Sequence, residues 1–183
     1  MKNIYTQLAR VAIAKAVGLG YNFDVEAFVH KYPNLKERGA SFVTINIGKD
    51  KLLRGCIGSL EPYRALYEDI ILNAKAAALY DPRFSSLTKE EYDNISIEVS
   101  ILSKPEKLYY IDIDDLKSKI RIFKDGIVLK LGENQSTFLP QVWEQIPDFD
   151  LFFANLCQKA GLNSDCLKKH PEVFIYQVEK YSE

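Results

Sequence analysis

Cysteine and histidine are scarce in this sequence of 183 residues, which contains only Cys56, Cys157, Cys166, His30 and His170. The cysteines are odd in number and form no Cys-x-x-Cys pair, so the pattern excludes a disulfide framework and a zinc knuckle. The histidines are too few for a histidine-based metal site, which needs several convergent ligands. Free thiols are typical of a reducing compartment, and we therefore expect a cytoplasmic location. Asp112, Asp114 and Asp115 cluster and could form an all-carboxylate site, but acidic side chains at a helix N-terminus explain them better, and we expect no bound metal.

An excess of either charge is absent too, as are long apolar runs. The 24 basic and 25 acidic residues give a formal net charge of −1, whereas nucleic-acid-binding domains usually carry a basic excess. No stretch approaches the roughly 18 consecutive apolar residues of a membrane-spanning helix. Arg10 and Lys15 interrupt the apolar residues near the N-terminus, which argues against a targeting signal. We expect a globular protein that spans no membrane, and the charge balance disfavours nucleic acid as a partner.

Apolar residues spaced three and four apart predict the helices of the chain. Long helices are expected at about 3–17, 62–80 and 148–160, and short helices at about 25–32, 88–94 and 114–118. Asp24 is placed to cap the helix expected at about 25–32. Thr88 and Glu91 have the spacing of a capping box.

Strands are predicted by β-branched residues and by alternation with a period of two. They are expected at 41–47, 51–60, 95–101, 120–124, 127–131 and 173–178. Turns at 48–51 and at Asp125-Gly126 are expected to join strands into hairpins, and 132–136 is expected to be a polar loop. Helices and hairpin-linked strands in mixed order predict an α+β fold with a mainly antiparallel sheet flanked by helices.

The segment Leu53-Arg54-Gly55-Cys56-Ile57-Gly58 is not explained by ordinary folding needs. Glycine weakens a strand and usually marks a bulge or a close approach by another group. In a regular strand Arg54 and Cys56 project from the same face, and a guanidinium beside a thiol stabilises the nucleophilic thiolate. The alternative is that Cys56 is a small buried hydrophobe, since no activating histidine is evident.

Three charged residues elsewhere complete the set of candidates. Glu98 lies on the polar face of the strand expected at 95–101, where it could act as a general base or form a structural ion pair with Arg54 or Arg83. Asp81 and Arg83 flank a proline at the end of a predicted helix. Their expected role is to brace that end, while Arg83 could instead hold an anionic ligand.

The hexapeptide resembles the hallmark of the AMMECR-one domain family, found in prokaryotes as AmmeMemoRadiSam system protein A. Residues 39–44 are similar to the family's Gly-Ala-Phe-Val-Thr segment, with Ser41 as an insertion. Further matches follow in the family's order at 81–84, 97–102, 125–129, 138–143 and 156–162. Because these matches cover nearly the whole chain, the sequence is identified as a member of this family; it departs most at 132–136.

The resemblance implies a single domain over residues 1–183 with two lobes. The larger lobe would be built from both termini, the smaller would lie within about 104–147, and the hexapeptide would line a cleft between them. The resemblance also implies association with a dioxygenase-like MEMO protein and a radical S-adenosylmethionine enzyme. It implies no particular reaction and no particular cofactor.

Two functions therefore remain open at this point. One is a cysteine-centred enzyme that acts on a small polar or anionic substrate, and the other is a non-catalytic protein that binds the MEMO-like or radical enzyme. The catalytic candidates of the first are Cys56, Arg54 and Glu98, and the substrate-binding candidates are Gly55, Gly58, Asp81 and Arg83.

Overall fold

Two sheets, each with its own helices, account for most of the chain in a computed structural model that describes residues 3–183. The chain divides into two compact units. The first comprises the described residues up to Leu102 together with Glu179–Glu183, and the second comprises Ser103–Val178. The expected α+β fold with mainly antiparallel strands is confirmed. The residues of the expected smaller lobe, about 104–147, fall in the second unit, and the single-domain assignment stays a prediction.

The first unit contains a sheet of five strands and three helices. The helices are α1 (Ile4–Ala16), α2 (Val25–Lys31) and α3 (Leu66–Leu79), and the strands are β1 (Arg38–Ile47), β2 (Leu52–Gly58), β3 (Arg64–Ala65), β4 (Ile95–Leu102) and β9 (Val178–Ser182). The strand order is β2-β1-β4-β9, and β3 pairs with the beginning of β1. β2 is therefore an edge strand of this sheet.

One face of this sheet is buried under α1 and α3. Val43 and Ile45 of β1, with Ile97 and Val99 of β4, belong to the same buried cluster as residues of both helices. Because side chains alternate along a strand, the intervening residues of β1 and β4 project from the opposite face. The polar residues Thr44 and Glu98 lie on that opposite face.

Helix α3 lies unusually close to β2, and Gly55 makes this approach possible. A Cβ atom at position 55 would lie 2.2 Å from the carbonyl oxygen of Ala77, which no side chain can tolerate. Ala74, Ala77 and Ala78 on α3 are small and buried, so the helix presents backbone to the strand. The first glycine of the hexapeptide is thus explained by a close approach, as expected for glycine inside a strand.

The start of α3 differs from the prediction. The helix begins at Leu66 and not at Pro62, because Ala65 forms its N-cap and the Glu68 carboxylate accepts the Ala65 N–H at 3.3 Å. The segment predicted as a short helix at 88–94 also differs. The capping-box hydrogen bonds between Thr88 and Glu91 form, at 2.9 and 3.4 Å. However, only a short 3-10 turn, Tyr92–Asn94, follows them.

The second unit contains the other sheet and three helices. Its strands are β5 (Glu106–Leu108), β6 (Gly126–Leu131), β7 (Asn134–Phe138) and β8 (Glu172–Tyr176), in the order β5-β8-β6-β7. Its helices are α4 (Ile113–Lys119), α5 (Val142–Gln145) and α6 (Phe149–Lys159). Trp143 is fully buried and stacks on Phe152 with ring centroids 3.4 Å apart.

The hairpin predicted at Asp125-Gly126 is wrong. Asp125 is fully buried, and its carboxylate accepts hydrogen bonds from the backbone and side chain of Arg121 and from Gln177. Residues 121–125 therefore form a closed loop and not a strand. The partner of β6 is β7, which begins in the segment 132–136 predicted to be a polar loop. The hydroxyl of Ser136 donates to the Leu156 carbonyl at 2.7 Å, so a polar residue is accommodated in this strand.

The expectation that the chain has no disulfide is also wrong. Cys157 on α6 is bonded to Cys166, both are buried, and Cys56 is the free cysteine of the described chain. Gly161, at φ 76°, ends the helix and lets the chain return toward α6. The cytoplasmic location is expected on the premise that all three thiols are free. That premise does not hold, and the location stays a prediction. Within residues 3–183 no helix is long and apolar enough to cross a membrane.

Replacing Gly55 by Ala is expected to destabilise the protein by about 1–3 kcal/mol, because a methyl group cannot fit against the backbone of α3. Urea denaturation measures the change. Gly20→Ala is the matched control, since nothing lies within 4 Å of a Cβ at that position, and it should leave the free energy of unfolding nearly unchanged. Equal stabilities of the two variants would contradict the close approach.

Reduction of the Cys157–Cys166 bond is expected to lower the melting temperature, because a disulfide across a short loop typically contributes about 2–4 kcal/mol. The measurement is differential scanning calorimetry with and without a phosphine reductant. A variant carrying Cys157→Ala and Cys166→Ala should already melt at the lower temperature and should not respond to the reductant. A wild-type melting temperature that is unchanged after complete reduction of the disulfide would refute this prediction.

Candidate functional site

A β-bulge interrupts β2 at Arg54. Ile45 pairs with Gly55 while its neighbour Asn46 pairs with Leu53, so Arg54 is an extra residue with no partner on β1. The inference that Arg54 and Cys56 share a face assumed a regular strand, and the strand is not regular here.

Arg54 binds a loop and not the thiol. Its guanidinium makes two hydrogen bonds to the Glu91 carboxylate, at 2.8 and 3.0 Å, and donates to the carbonyl of Ser85 at 2.9 Å and of Ser86 at 3.4 Å. The side chain is mostly buried, with 12% of its surface exposed. Arg54 therefore fixes the loop that follows Asp81 and Arg83. The guanidinium contacts this loop and not the Cys56 thiol, which it was expected to contact.

Asp81 and Arg83 satisfy the free edge of β2 at Cys56. The Cys56 N–H donates to Oδ2 of Asp81 at 2.8 Å, and Nη2 of Arg83 donates to the Cys56 carbonyl at 3.2 Å. The two side chains are also joined to each other, with Nη2 of Arg83 at 2.7 Å and Nε at 3.0 Å from the carboxylate. They thus provide the acceptor and the donor that a neighbouring strand would otherwise supply.

The electrostatics of this pair follow from its hydrogen bonds. The bonds from Arg83, together with the Cys56 N–H, hold the pKa of the buried Asp81 carboxyl far below its usual range, against the opposing effect of burial. The hydrogen bond to Asp81 and the charge of its carboxylate raise the pKa of Arg83. Arg83 is therefore a charged guanidinium that is bonded to the Cys56 carbonyl, and 53% of its side chain is exposed.

A row of polar side chains crosses the sheet on the face opposite the helices. Cys56 is half-buried and lies directly across from Thr44, whose hydroxyl donates to Sγ at 3.2 Å. Thr44 in turn lies directly across from Glu98 on β4. Sequence reasoning missed Thr44 because an unbroken hairpin register would not place it opposite Cys56; the bulge shifts the pairing by one residue.

Glu98 is directed toward β9. Its carboxylate lies 3.8 Å from Nζ of Lys180 and accepts a hydrogen bond from the Ser182 hydroxyl at 3.3 Å. The ion pair expected with Arg54 or Arg83 is thus formed with Lys180. Two strand spacings of about 4.8 Å separate Glu98 from Cys56 across the sheet, so the two do not act on the same atom directly.

The second glycine of the hexapeptide also has a packing role. Gly58 lies across from Phe42, and a Cβ atom at position 58 would come within 2.2 Å of the Phe42 ring. The ring therefore covers Gly58 on the same face as Cys56. Contact of Gly55 or Gly58 with a substrate stays a prediction.

Asp69 is a buried residue near the site that sequence reasoning did not single out. Its carboxylate accepts hydrogen bonds from the backbone and hydroxyl of Ser41, both at 2.8 Å, from Ser59 at 2.7 Å and from Asn73 at 2.9 Å. The carboxylate thereby joins α3 to β1 and to the residue after β2. Ser41, the insertion relative to the family segment, is one of its partners.

A metal cluster is not part of this site. Among residues 3–183, no group of three or more His, Cys, Asp or Glu side chains is arranged to hold a metal ion. Of the neighbouring acidic residues Asp112, Asp114 and Asp115, Asp112 caps α4 by accepting the N–H of Asp115 at 2.8 Å.

Asp81→Asn is expected to lower the free energy of unfolding at neutral pH, because the amide carries no charge to pair with Arg83. The folded pKa of Asp81 is depressed, so its contribution is fully present above the unfolded pKa of about 3.9 and is lost as the pH falls through the folded value. Urea denaturation should therefore give a wild-type advantage that shrinks from about pH 7 to about pH 3.

Asp50→Asn is the control for this measurement, since Asp50 is exposed in the turn between β1 and β2. It should change stability little at either pH. A wild-type advantage over Asp81→Asn that grows in acid would contradict the assignment of the depressed pKa.

Comparison with known proteins places these features in a family. The AMMECR1 family model matches residues 6–181. Protein MJ0810 of Methanocaldococcus jannaschii is 35% identical over 176 residues, which cover 94% of this chain and 88% of that protein. Protein NEQ441 of Nanoarchaeum equitans is 38% identical over 151 residues, which cover 81% of this chain and 83% of that protein.

A solved structure agrees with the same assignment. The crystal structure of the uncharacterised protein PH0010 from Pyrococcus horikoshii is 34% identical and has a TM-score of 0.78. The match covers 98% of this chain and 89% of that one. Because the family model matches residues 6–181 and the fold is shared with PH0010, this chain belongs to the AMMECR1 family.

Proposed function

We propose that the protein is a thiol-dependent enzyme in which Cys56 is the nucleophile and Arg83 binds a small anionic substrate. The observation that carries the proposal is the arrangement around one free, half-buried cysteine, with the Thr44 hydroxyl 3.2 Å from the sulfur and the Arg83 guanidinium bonded to the Cys56 carbonyl. A hydroxyl that donates to sulfur and a nearby cation both favour the thiolate, which is the reactive form.

Arg83 is suited to hold an anion because only part of its guanidinium is used internally. Its hydrogen bonds to Asp81 and Cys56 come from Nε and Nη2, and about half of the side chain remains exposed. Arginine binds carboxylate and phosphate groups through paired donors. A substrate with such a group would be held next to Sγ.

The remaining candidates have indirect or distant roles in this proposal. Arg54 positions the loop at Ser85 and Ser86 and thereby holds Arg83 near Cys56. Glu98 lies on the same face but two strands away, where it would act on the far end of a substrate and not on the thiol. Lys180 and Ser182 would orient it there.

The alternative function is non-catalytic binding of a MEMO-like protein or a radical S-adenosylmethionine enzyme. Large apolar side chains exposed in the second unit favour it: Tyr109 is 74%, Ile111 84% and Phe123 59% exposed. Phe123 also adopts a φ of 70°, which is strained for a bulky residue and marks functional segments in many proteins. The two functions differ in what Cys56→Ser would do: an enzyme loses turnover and keeps its partners, whereas a binding protein keeps both structure and binding.

The reactivity of Cys56 tests the enzyme proposal directly. At pH 7 iodoacetamide should alkylate Cys56 faster than it alkylates free glutathione, because the Thr44 hydroxyl donates to Sγ and the Arg83 guanidinium is bonded to the Cys56 carbonyl. Arg83→Gln should slow this reaction, and Arg83→Lys should restore part of the rate. Mass spectrometry of the modified peptide identifies the site.

Lys49→Gln is the control variant, since it removes one positive charge from an exposed turn. It should leave the alkylation rate unchanged. A wild-type rate no higher than that of glutathione would rule out an activated thiol at position 56.

A further inference from the structure

A cavity in the first unit lies beside α1. The cavity has a volume of about 600 Å³, and its walls include Thr6, Arg10, Tyr21, Tyr92 and Glu183. This volume falls in the range of about 300–1,000 Å³ that small-molecule sites occupy. Neither Cys56 nor Arg83 is among the residues that line it.

The cavity contains an arrangement that binds a carboxylate. Nε of Arg10 donates to Oε1 of Glu183 at 3.1 Å, and Nη2 of Arg10 donates to Oε2. The backbone N–H of Ile97 donates to the same Oε2 at 3.2 Å. Two parallel guanidinium bonds and a backbone amide are a strong and geometrically specific carboxylate receptor.

The receptor is organised independently of the Glu183 side chain. Arg10 also donates to the carbonyl of Tyr92 at 3.2 Å and of Ile95 at 2.9 Å. Its guanidinium lies over the Tyr92 ring, 5.1 Å from the centroid, and the Tyr92 hydroxyl donates back to the Arg10 carbonyl at 3.2 Å. These contacts hold Arg10 in place, so another carboxylate meets a preformed site.

The cavity leaves about 600 Å³ of space beside the Glu183 side chain, and two of its lining residues are tyrosines. Tyr21 is about half exposed, with 47% of its surface accessible, whereas Tyr92 is buried. The backbone of Glu183 is held by its own bond to the Ile97 carbonyl at 3.1 Å, so its side chain can leave the receptor without release of the strand. A ligand whose carboxylate replaces that of Glu183 would place its remaining atoms in this space, beside the tyrosines.

We propose that this cavity is a binding site for a small aromatic carboxylate, and that Glu183 occupies the carboxylate position when the ligand is absent. The site is separate from Cys56 and does not depend on the function proposed for it. Arg10 and Ile97 recognise the charge, and Tyr21 and Tyr92 contact the ring.

A titration of the whole protein with benzoate, followed by two-dimensional amide NMR, tests the proposal. Saturable shifts are expected at Thr6, Tyr21 and Tyr92, and neutral benzamide should not produce them. Glu183→Gln should tighten benzoate binding by about tenfold, because a charged competitor becomes a neutral one. Lys49→Gln should leave the affinity unchanged.

The outcomes separate a ligand site from an internal ion pair. Tyr21→Ala should weaken benzoate binding in a protein whose fold is intact, since Tyr21 is half exposed; Arg10→Gln should abolish binding. The proposal is overturned when neither the wild type nor Glu183→Gln shows saturable shifts, or when benzamide binds as well as benzoate. Equal benzoate affinities of the wild type and Glu183→Gln would overturn the assignment of Glu183 as the occupant.

Discussion

A strand at the edge of a sheet leaves backbone N–H and C=O groups without a partner, and at Cys56 this protein satisfies them with side chains. Asp81 accepts the N–H, Arg83 donates to the C=O, and each holds the other in position. The geometry around the thiol depends on this contact. It fixes the backbone of Cys56, places a guanidinium next to it, and leaves the side chain on the face that it shares with Thr44.

The two glycines around Cys56 act on opposite faces of the same strand. Gly55 admits the backbone of α3 at Ala77, and Gly58 admits the ring of Phe42. The bulge at Arg54 changes the register between these packed segments. Helix packing, aromatic packing and edge capping therefore converge on six consecutive residues, and this explains a sequence that is unusual for a strand.

Much of this arrangement follows from the sequence, because local chemistry decides it. The helical spacing before Asp81, the alternation at 95–101 and the glycines at 55 and 58 each predict a structure that is present. The capping box at Thr88 and Glu91 also forms, although the turn after it is shorter than a helix. These signals depend on residues that are close in the chain.

The features that the sequence did not reveal depend on residues that are far apart or on an exception to a regular pattern. The bulge cannot be read from periodicity, and without it Thr44 is not opposite Cys56. The buried carboxylate of Asp125 converts an apparent hairpin turn into a closed loop, because the Arg121 and Gln177 donors satisfy it. The Cys157–Cys166 bond requires a chain reversal at Gly161 that spacing alone does not specify.

The capped edge of β2 couples the strand to the anion site proposed at Arg83. Because Arg83 holds the Asp81 carboxylate, the Cys56 carbonyl and, in our proposal, an anion, these partners share one guanidinium. Binding that draws Arg83 outward weakens its hold on the strand, and by thermodynamic reciprocity a looser strand changes anion affinity by the same factor. If an anion binds there as proposed, the exchange rate of the Cys56 amide hydrogen, which is bonded to Asp81, would change with occupancy.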